Sequence, residues 1–268
     1  MKVDLHTHST ASDGQYSPAE LVGLAKARGI EVLALTDHDT TDGTDEAIEA
    51  GAAQGVRVLR GVELSAKGYR HLHILGLNFD RVAPDLQALC AWMKEGRDQR
   101  KYRIVDFLKE KGVRISLEEV EELAGGNIIG RPHFAQAMVR RGYVSDTKEA
   151  FARYLDTPEY SRIERPKPEA KACVEAIKAA GGKSSLAHPY QLKLEDEALE
   201  ALIRQMKDWG LDALECYYSK HTPEQTAFYL RLAEKYGLHA TAGSDFHGER
   251  VKPDVQLTPW ALDVGWLC

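Results

Sequence analysis

The chain has 268 residues and 43% apolar content, enough for one large domain or for a domain that carries a sizeable insertion. Its formal net charge of −6 argues against a nucleic-acid coat protein or a polybasic membrane binder, and leaves room only for a local basic pocket. There is no apolar run of about 18 residues and no signal-peptide core before Asp4, so a soluble, cytoplasmic protein without membrane contact is expected.

Val3 to His8 is short, apolar and bounded by polar turn residues, which predicts a first strand. His6 and His8 are two apart and face one side of it, and Asp13 follows in a turn that can fold back toward them. Ser17-Pro18-Ala19-Glu20 is a capping box with proline at the first helical position, opening a helix to about Arg28. A strand over Val32 to Thr36 ends in Asp37-His38-Asp39, and a short helix covers about Asp45 to Ala53. Val56 to Ser65 gives a third strand with Glu63 near its end, and His71 to Leu77 a fourth.

From about Pro84 to Leu155 the pattern is helix after helix. Pro84 to Lys111 has helical spacing, Ser116-Leu117-Glu118-Glu119 is a second capping box, Pro132 opens a helix through about Arg141, and Ser145 to Leu155 reads as one more. Residues 97–167 are therefore expected to form an all-helical insertion, closed by the loop Arg162-Ile163-Glu164-Arg165-Pro166-Lys167-Pro168. Alternation then resumes: a helix to Ala180, a strand Ser184 to Ala187 before His188, and a helix from about Asp196 to Trp209. A strand Leu211 to Tyr217, a helix capped by Thr222, and a strand His239 to Ala242 before Asp245 and His247 complete the series. About seven βα units remain for residues 1–96 and 168–268, which fits an α/β fold, a distorted (β/α)7 parallel barrel of TIM type with functional residues at strand C-terminal ends. An open doubly wound sheet would carry a glycine-rich phosphate loop after the first strand, and none is present. Val255 to Cys268 carries no clear signal.

The four cysteines, Cys90, Cys173, Cys216 and Cys268, include no C-x-x-C pair and read as core or surface thiols. Any metal must then be held by nitrogen and oxygen. The motifs offer His6, His8, His38, one of His71 and His73, His188 and His247, together with Asp13, Glu63 and Asp245. Nine ligands are too many for one ion. Two or three divalent cations would use them, with Glu63 as a natural bridge because a carboxylate has two oxygens. Cations about 3.5–4 Å apart can generate a hydroxide and clamp substrate oxygens, which is the chemistry of phosphoester hydrolysis. Asp37 and Asp39 read as turn-forming, hydrogen-bonding neighbours of His38.

The ordered set D-L-H-x-H-S, T-D-H-D, G-V-E, H-I-x-G-L, A-H-P and G-S-D-F-H resembles the PHP (polymerase and histidinol phosphatase) domain phosphoesterases over nearly the whole chain. Within them it looks most like the branch of nucleotide-bisphosphate phosphatases and short-RNA 5′-3′ exonucleases, whose PHP barrel carries a helical insertion. The resemblance implies one metal held by His6, His8, Glu63 and Asp245, a second by Asp13, His38 and His247, and a third by Glu63, His73 and His188. It selects His73 over His71, and implies manganese, while ligand type alone also admits iron, zinc or magnesium. In this pattern Asp13, Glu63, His188, Asp245 and His247 also serve the catalytic step.

Gly130-Arg131-Pro132-His133-Phe134-Ala135 resembles the substrate-facing element of that branch, where Arg131 and His133 meet a phosphate. A helix N-terminus supplies free N–H groups there, and Arg131 a bidentate fork. Arg97 and Arg100, one turn apart, are further candidates to face the pocket. Residues 97–167 hold fifteen Lys and Arg against twelve Asp and Glu, so this segment carries +3 and the remainder −9. That asymmetry favours a basic substrate lid over an acidic barrel. The loop 160–167 and the short C-terminus depart from the branch, which bears on substrate choice. The expected activity is removal of a phosphate from a 3′,5′-nucleotide bisphosphate, extending to 5′-phosphorylated short oligonucleotides, with no stable nucleic-acid complex. Histidinol-phosphate phosphatase is the alternative within the same chemistry; an amidohydrolase-type deaminase and a non-catalytic metal- or nucleotide-binding module are alternatives of other classes.

Overall fold

The computed structural model of the protein describes residues 1–124, 129–163 and 165–267; Glu164 of the expected closing loop and Cys268 lie outside the described residues. The chain divides into two compact units, one formed by Met1–Ala91 with Lys167–Cys268 and the other by Trp92–Pro166.

The first unit is built on one eight-stranded sheet. Its strands are β1 (Lys2–Thr7), β2 (Val32–Leu35), β3 (Arg57–Ser65), β4 (His73–Leu77), β5 (Lys183–Leu186), β6 (Ala213–Tyr218), β7 (His239–Gly243) and β8 (Trp260–Ala261). They lie in the order β7-β6-β5-β4-β3-β2-β1-β8. The sheet curls until its ends meet: Asp245 N donates to His6 O at 2.8 Å and His8 N to Phe246 O at 2.9 Å, which nearly closes a barrel between β1 and the segment after β7. Val3, Leu5, Val32, Ala34, Leu59, Leu75, Leu77, Ala187 and Ala242 form one apolar cluster drawn from strands around the sheet, with Val264 and Leu267 added from the C-terminal segment. Each of the larger side chains among them contributes about 1.5–3 kcal/mol on full burial.

The expectation of a wholly parallel barrel needs correction at two strands. β4 is antiparallel to both β3 and β5, and β8 is antiparallel to β1. Only seven residues separate Ser65 from His73, and a parallel crossover needs a dozen or more. The connection therefore has to be a hairpin.

Around the strands stand α1 (Pro18–Ala27), α2 (Thr44–Gln54), α7 (Ala170–Ala179), α8 (Asp196–Trp209) and α9 (Pro223–Lys235). The capping box at Ser17 is formed in full, Glu20 N reaching Ser17 Oγ and Ser17 N reaching Glu20 Oε2. Leu199, Leu202, Ile203 and Met206 make the buried stripe of α8, spaced three and four apart as a helix face requires.

The second unit is helical: the C-terminal part of α3 (Pro84–Glu110), then α4 (Leu117–Ala124), α5 (Arg131–Arg140) and α6 (Thr147–Ala150). Its core gathers Ile104, Leu108, Val113, Val120, Phe134, Met138 and Leu155. The single helix expected over Ser145 to Leu155 is shorter. It starts at the Asp146 cap and passes into a π-helical turn over Phe151–Leu155. No helix of the described residues is long and apolar enough to cross a membrane.

Candidate metal centre

Parallel strands deliver most of the predicted ligands at their C-terminal ends. His6 lies on β1 and His8 just past it, His38 follows β2, Glu63 is near the end of β3, His188 follows β5, and Asp245 and His247 follow β7. His73 arrives by a different route. It is the first residue of β4, and the antiparallel direction of that strand sets it opposite Ser65, at the same end as Glu63. β1 carries one extra residue against β2 between Asp4 and Thr7, a bulge at the segment that holds His6.

Glu63 is fully buried and central. Its Oε1 meets His73 Nδ1 at 2.7 Å and His188 Nε2 at 2.8 Å; its Oε2 lies 2.9 Å from His38 Nδ1, 3.2 Å from His8 Nε2 and 3.3 Å from His6 Nε2. Asp245 Oδ1 lies 3.3 Å from His8 Nε2 and His247 Nδ1 and 3.7 Å from His6 Nε2. Asp13 Oδ1 approaches His247 Nε2 at 3.3 Å, and its Oδ2 is 3.9 Å from His38 Nε2. Among the described residues, candidate ligand atoms within 4.8 Å of one another form three sets: His8, Asp13, His38 and His247; His6, His8, Glu63 and Asp245; and His38, Glu63 and His73. These sets share His8, His38 and Glu63. His188 falls outside them, although it touches Glu63. His71 has a left-handed backbone, φ 63°, and its ring centroid is 6.2 Å from that of His73.

Within this crowd His6 Nε2, both ring nitrogens of His8, Glu63 Oε2 and His188 Nδ1 are buried without a hydrogen-bond partner. Such groups are costly unless something completes them. Converging borderline nitrogens and carboxylate oxygens fit divalent cations. Burial pushes His8 down to about 4 and His73 to about 3, so both carry lone pairs at neutral pH. Burial works against charge on Glu63 and Asp245 as well. The neighbouring imidazoles, with Lys252 beside Asp245, outweigh it and hold both carboxyls well below the usual range.

Further side chains fasten the loops. Asp37 accepts from Ser9 N at 2.8 Å, Ser9 Oγ at 2.6 Å and Ser12 Oγ at 2.5 Å, which ties down the turn that leads to Asp13. Asp39 accepts from Ser65 N at 2.8 Å, and Asp4 from Ser244 N at 2.8 Å and Thr258 N at 3.2 Å. Three residues that sequence reasoning does not single out also reach the ligands. Tyr218 Oη donates to Asp245 Oδ2 at 2.7 Å, and Lys252 Nζ lies 2.7 Å from the same oxygen. Glu215 Oε1 meets His6 Nδ1 at 3.0 Å, and its Oε2 accepts from His188 N at 2.5 Å. A carboxylate inside the apolar strand Ala213–Tyr218 was the available signal for Glu215. Nothing local marks Lys252.

The candidate phosphate ligands all belong to the helical unit. Arg131 pairs with Asp156 at 2.6 Å, and its guanidinium lies 5.5 Å over the Phe151 ring. Arg100 Nε donates to Ile163 O at 2.9 Å, and its guanidinium lies 5.5 Å over the Tyr160 ring. Burial, then the charges of Arg131 and Arg97, push the Arg100 pKa down against the opposing pull of Tyr160, so the three guanidinium groups share one neighbourhood. His133 Nδ1 accepts from Gly130 N at 3.0 Å and so serves the start of α5. The Tyr160 hydroxyl is buried there without a hydrogen-bond partner.

Known proteins share both the fold and the sequence. A 5′-3′ exoribonuclease of Haemophilus influenzae is 39% identical over 92% of this chain and 90% of its own length. A 3′,5′-nucleoside bisphosphate phosphatase of Chromobacterium violaceum is 34% identical over 91% of this chain and 87% of its own. A solved structure of an amidohydrolase from Chromobacterium violaceum with bound sulfate superposes with a TM-score of 0.82 at 33% identity, covering all of this chain and 93% of that one. The sequence model of the PHP domain matches residues 4–164, the stretch that contributes His6, His8, Asp13, His38, Glu63 and His73 to the centre. With a barrel that gathers those residues at one end, the chain belongs to the PHP domain family.

Proposed function

We propose that this protein is a metal-dependent phosphoesterase that hydrolyses small nucleotide substrates, converting a 3′,5′-nucleotide bisphosphate to the 5′-nucleotide and phosphate and trimming 5′-phosphorylated short oligonucleotides. The observation that carries this reading is the convergence of imidazoles and carboxylates on buried Glu63, with His6 Nε2, His8 and Glu63 Oε2 left without hydrogen-bond partners. His6, His8, Asp13, His38, Glu63, His73, His188, Asp245 and His247 would hold two or three divalent ions, with manganese the ion assigned. When bound, such ions lower the pKa of water and stabilise charge on phosphoryl oxygens.

The chain's own residues prepare that chemistry. Glu63 fixes His73 and His188 through one oxygen and turns the other toward His6, His8 and His38. Neutral His8 and His73 offer nitrogen without first losing a proton. Asp13 is the more exposed carboxylate, its side chain 39% accessible, and lies 3.3 Å from His247 Nε2; burial works against its charge, but His38 and His247 outweigh it and hold the carboxyl well below the usual range, ready as an anionic ligand. Arg97, Arg100, Arg131 and His133 are assigned to the substrate phosphate. For Arg131 this requires exchange of Asp156 for a phosphate, a stronger bidentate partner.

The test is phosphate release by metal-stripped, Mn²⁺-reconstituted protein on adenosine 3′,5′-bisphosphate, a 5′-phosphorylated dinucleotide and histidinol phosphate, with adenosine as a phosphate-free control. Metal-dependent preference for the nucleotides is expected. Preference for histidinol phosphate would overturn the substrate assignment, and deamination of adenosine without phosphate release would overturn the reaction class. Arg131→Ala should raise KM while metal content stays at the parent level; an unchanged kcat/KM would remove Arg131 from the substrate site.

A further inference from the structure

Glu215 is fully buried on β6, at the point where that strand carries one residue more than β7 between Glu215 and Tyr217. Its two oxygens are committed to two ligands from different strands, Oε1 to His6 Nδ1 at 3.0 Å and Oε2 to His188 N at 2.5 Å. We propose that Glu215 is a positioning residue that fixes the proton of His6 on Nδ1, leaving Nε2 as a ligand, and at the same time holds His188 in place. This assignment rests on the metal centre proposed above.

A neutral imidazole has one N–H and one lone pair, and the partner of one nitrogen decides which is which. A carboxylate oxygen accepts, so the nitrogen that faces Glu215 Oε1 is the donor. Nε2, which lies 3.3 Å from Glu63 Oε2 and 3.7 Å from Asp245 Oδ1, is then the nitrogen left to face the metal centre. The second bond has a separate task. His188 has φ 27° and ψ 61° and is followed by Pro189, a combination that L-residues rarely adopt and that surrounding bonds must hold. Oε2 of Glu215 takes the His188 N–H in that conformation. The third side of the carboxylate is closed by Gly243, where a Cβ would collide with Glu215 Oε1 and with His6 Cβ. The group is thus held by shape, and through β6 it links His6 on β1 with His188 just past β5.

The discriminating variant is Glu215→Gln, which keeps the shape and removes one acceptor. Its single amide oxygen is required by the His188 N–H, so its NH₂ must face His6 Nδ1. The His6 proton then moves to Nε2, the nitrogen needed for metal. Calorimetric titration of stripped protein with Mn²⁺ should show affinity about 10–100-fold weaker than in the parent, while the melting temperature of the stripped protein stays close to the parent value. A purely structural role would keep affinity in step with stability. Parent-like Mn²⁺ affinity in Glu215→Gln would overturn the assignment and leave the metal centre standing; absence of Mn²⁺ binding by the parent itself would overturn both. Should Glu215→Gln fail to fold, the Zn²⁺-loaded, ¹⁵N-histidine-labelled parent decides. An exchange-protected His6 Nδ1–H supports the assignment, and its absence refutes it.

Discussion

Asp245 offers a measurable case of a ligand oriented by its neighbours. Its Oδ2 receives the Tyr218 hydroxyl at 2.7 Å and lies 2.7 Å from Lys252 Nζ, which leaves Oδ1 facing His6, His8 and His247. Tyr218→Phe removes one of those two partners with little change in volume. A hydrogen bond to a charged group contributes about 1.5–3 kcal/mol, and because Lys252 remains, the lower end applies. Freed on one side, the carboxylate samples orientations from which metal binding must draw it back. Mn²⁺ affinity of the stripped protein should fall about tenfold, equal to about 1.4 kcal/mol, the lower end of what outer partners of metal ligands usually contribute. The assay is calorimetric titration of parent and variant side by side, with melting in EDTA to report stability separately. A dissociation constant within about twofold of the parent would refute the reasoning and would place the control of Asp245 in its backbone, whose φ is 58°.

His8 belongs to two of the three ligand sets and His73 to one, so His8→Ala should lose more bound metal per chain than His73→Ala when content is measured by elemental analysis; equal losses would contradict the shared role of His8. Phe134, 1% exposed in the core of the helical unit, should cost about 3–5 kcal/mol on replacement by alanine, read as a lower urea midpoint of the helical signal. Burial pushes the Cys90 thiol up to about 12, so the native protein should resist labelling of Cys90 by iodoacetamide at about pH 8, whereas the urea-unfolded chain should react. The same shift sets a sign for stability. An unfolded thiol ionises near about 8.5 and the folded one near about 12, so this contribution is complete below about pH 8.5 and is lost as pH rises toward 12. Rising stability between about pH 9 and 11 would contradict the burial of Cys90.

The placement of much of the candidate centre was legible because short strands ending in histidine or acid announce both a barrel and the end where those groups gather. His6 and His8, Asp37 to Asp39, Glu63, His188 and Asp245 to His247 all follow that rule. The direction of β4 was not legible from its own residues, since alternation is the same whichever way a strand runs. Its clue was the short connection after Ser65. β8 has two residues, too few for any period to show. Glu215 and Tyr218 escaped for a physical reason: a strand pattern reports which positions are buried, and says nothing of which buried positions meet polar groups. Lys252 could be placed only once Asp245 was placed, because their contact depends on the closure between β1 and the segment after β7.

That closure has a consequence for how the protein matures. His6 and Asp245 are joined across nearly the full chain by the bonds between β1 and residues 245 and 246. A chain still emerging from the ribosome with residues 1 to 200 exposed already holds His6, His8, Glu63 and His73, but it lacks Asp245 and His247. It also lacks Glu215 and the hydrogen bonds that aim His6. Contacts of such long sequence separation form late. Metal captured by the early fragment would meet incomplete sets of the candidate ligands, whereas the closed barrel brings those sets together. Tight metal uptake should thus follow the joining of β1 to the segment after β7.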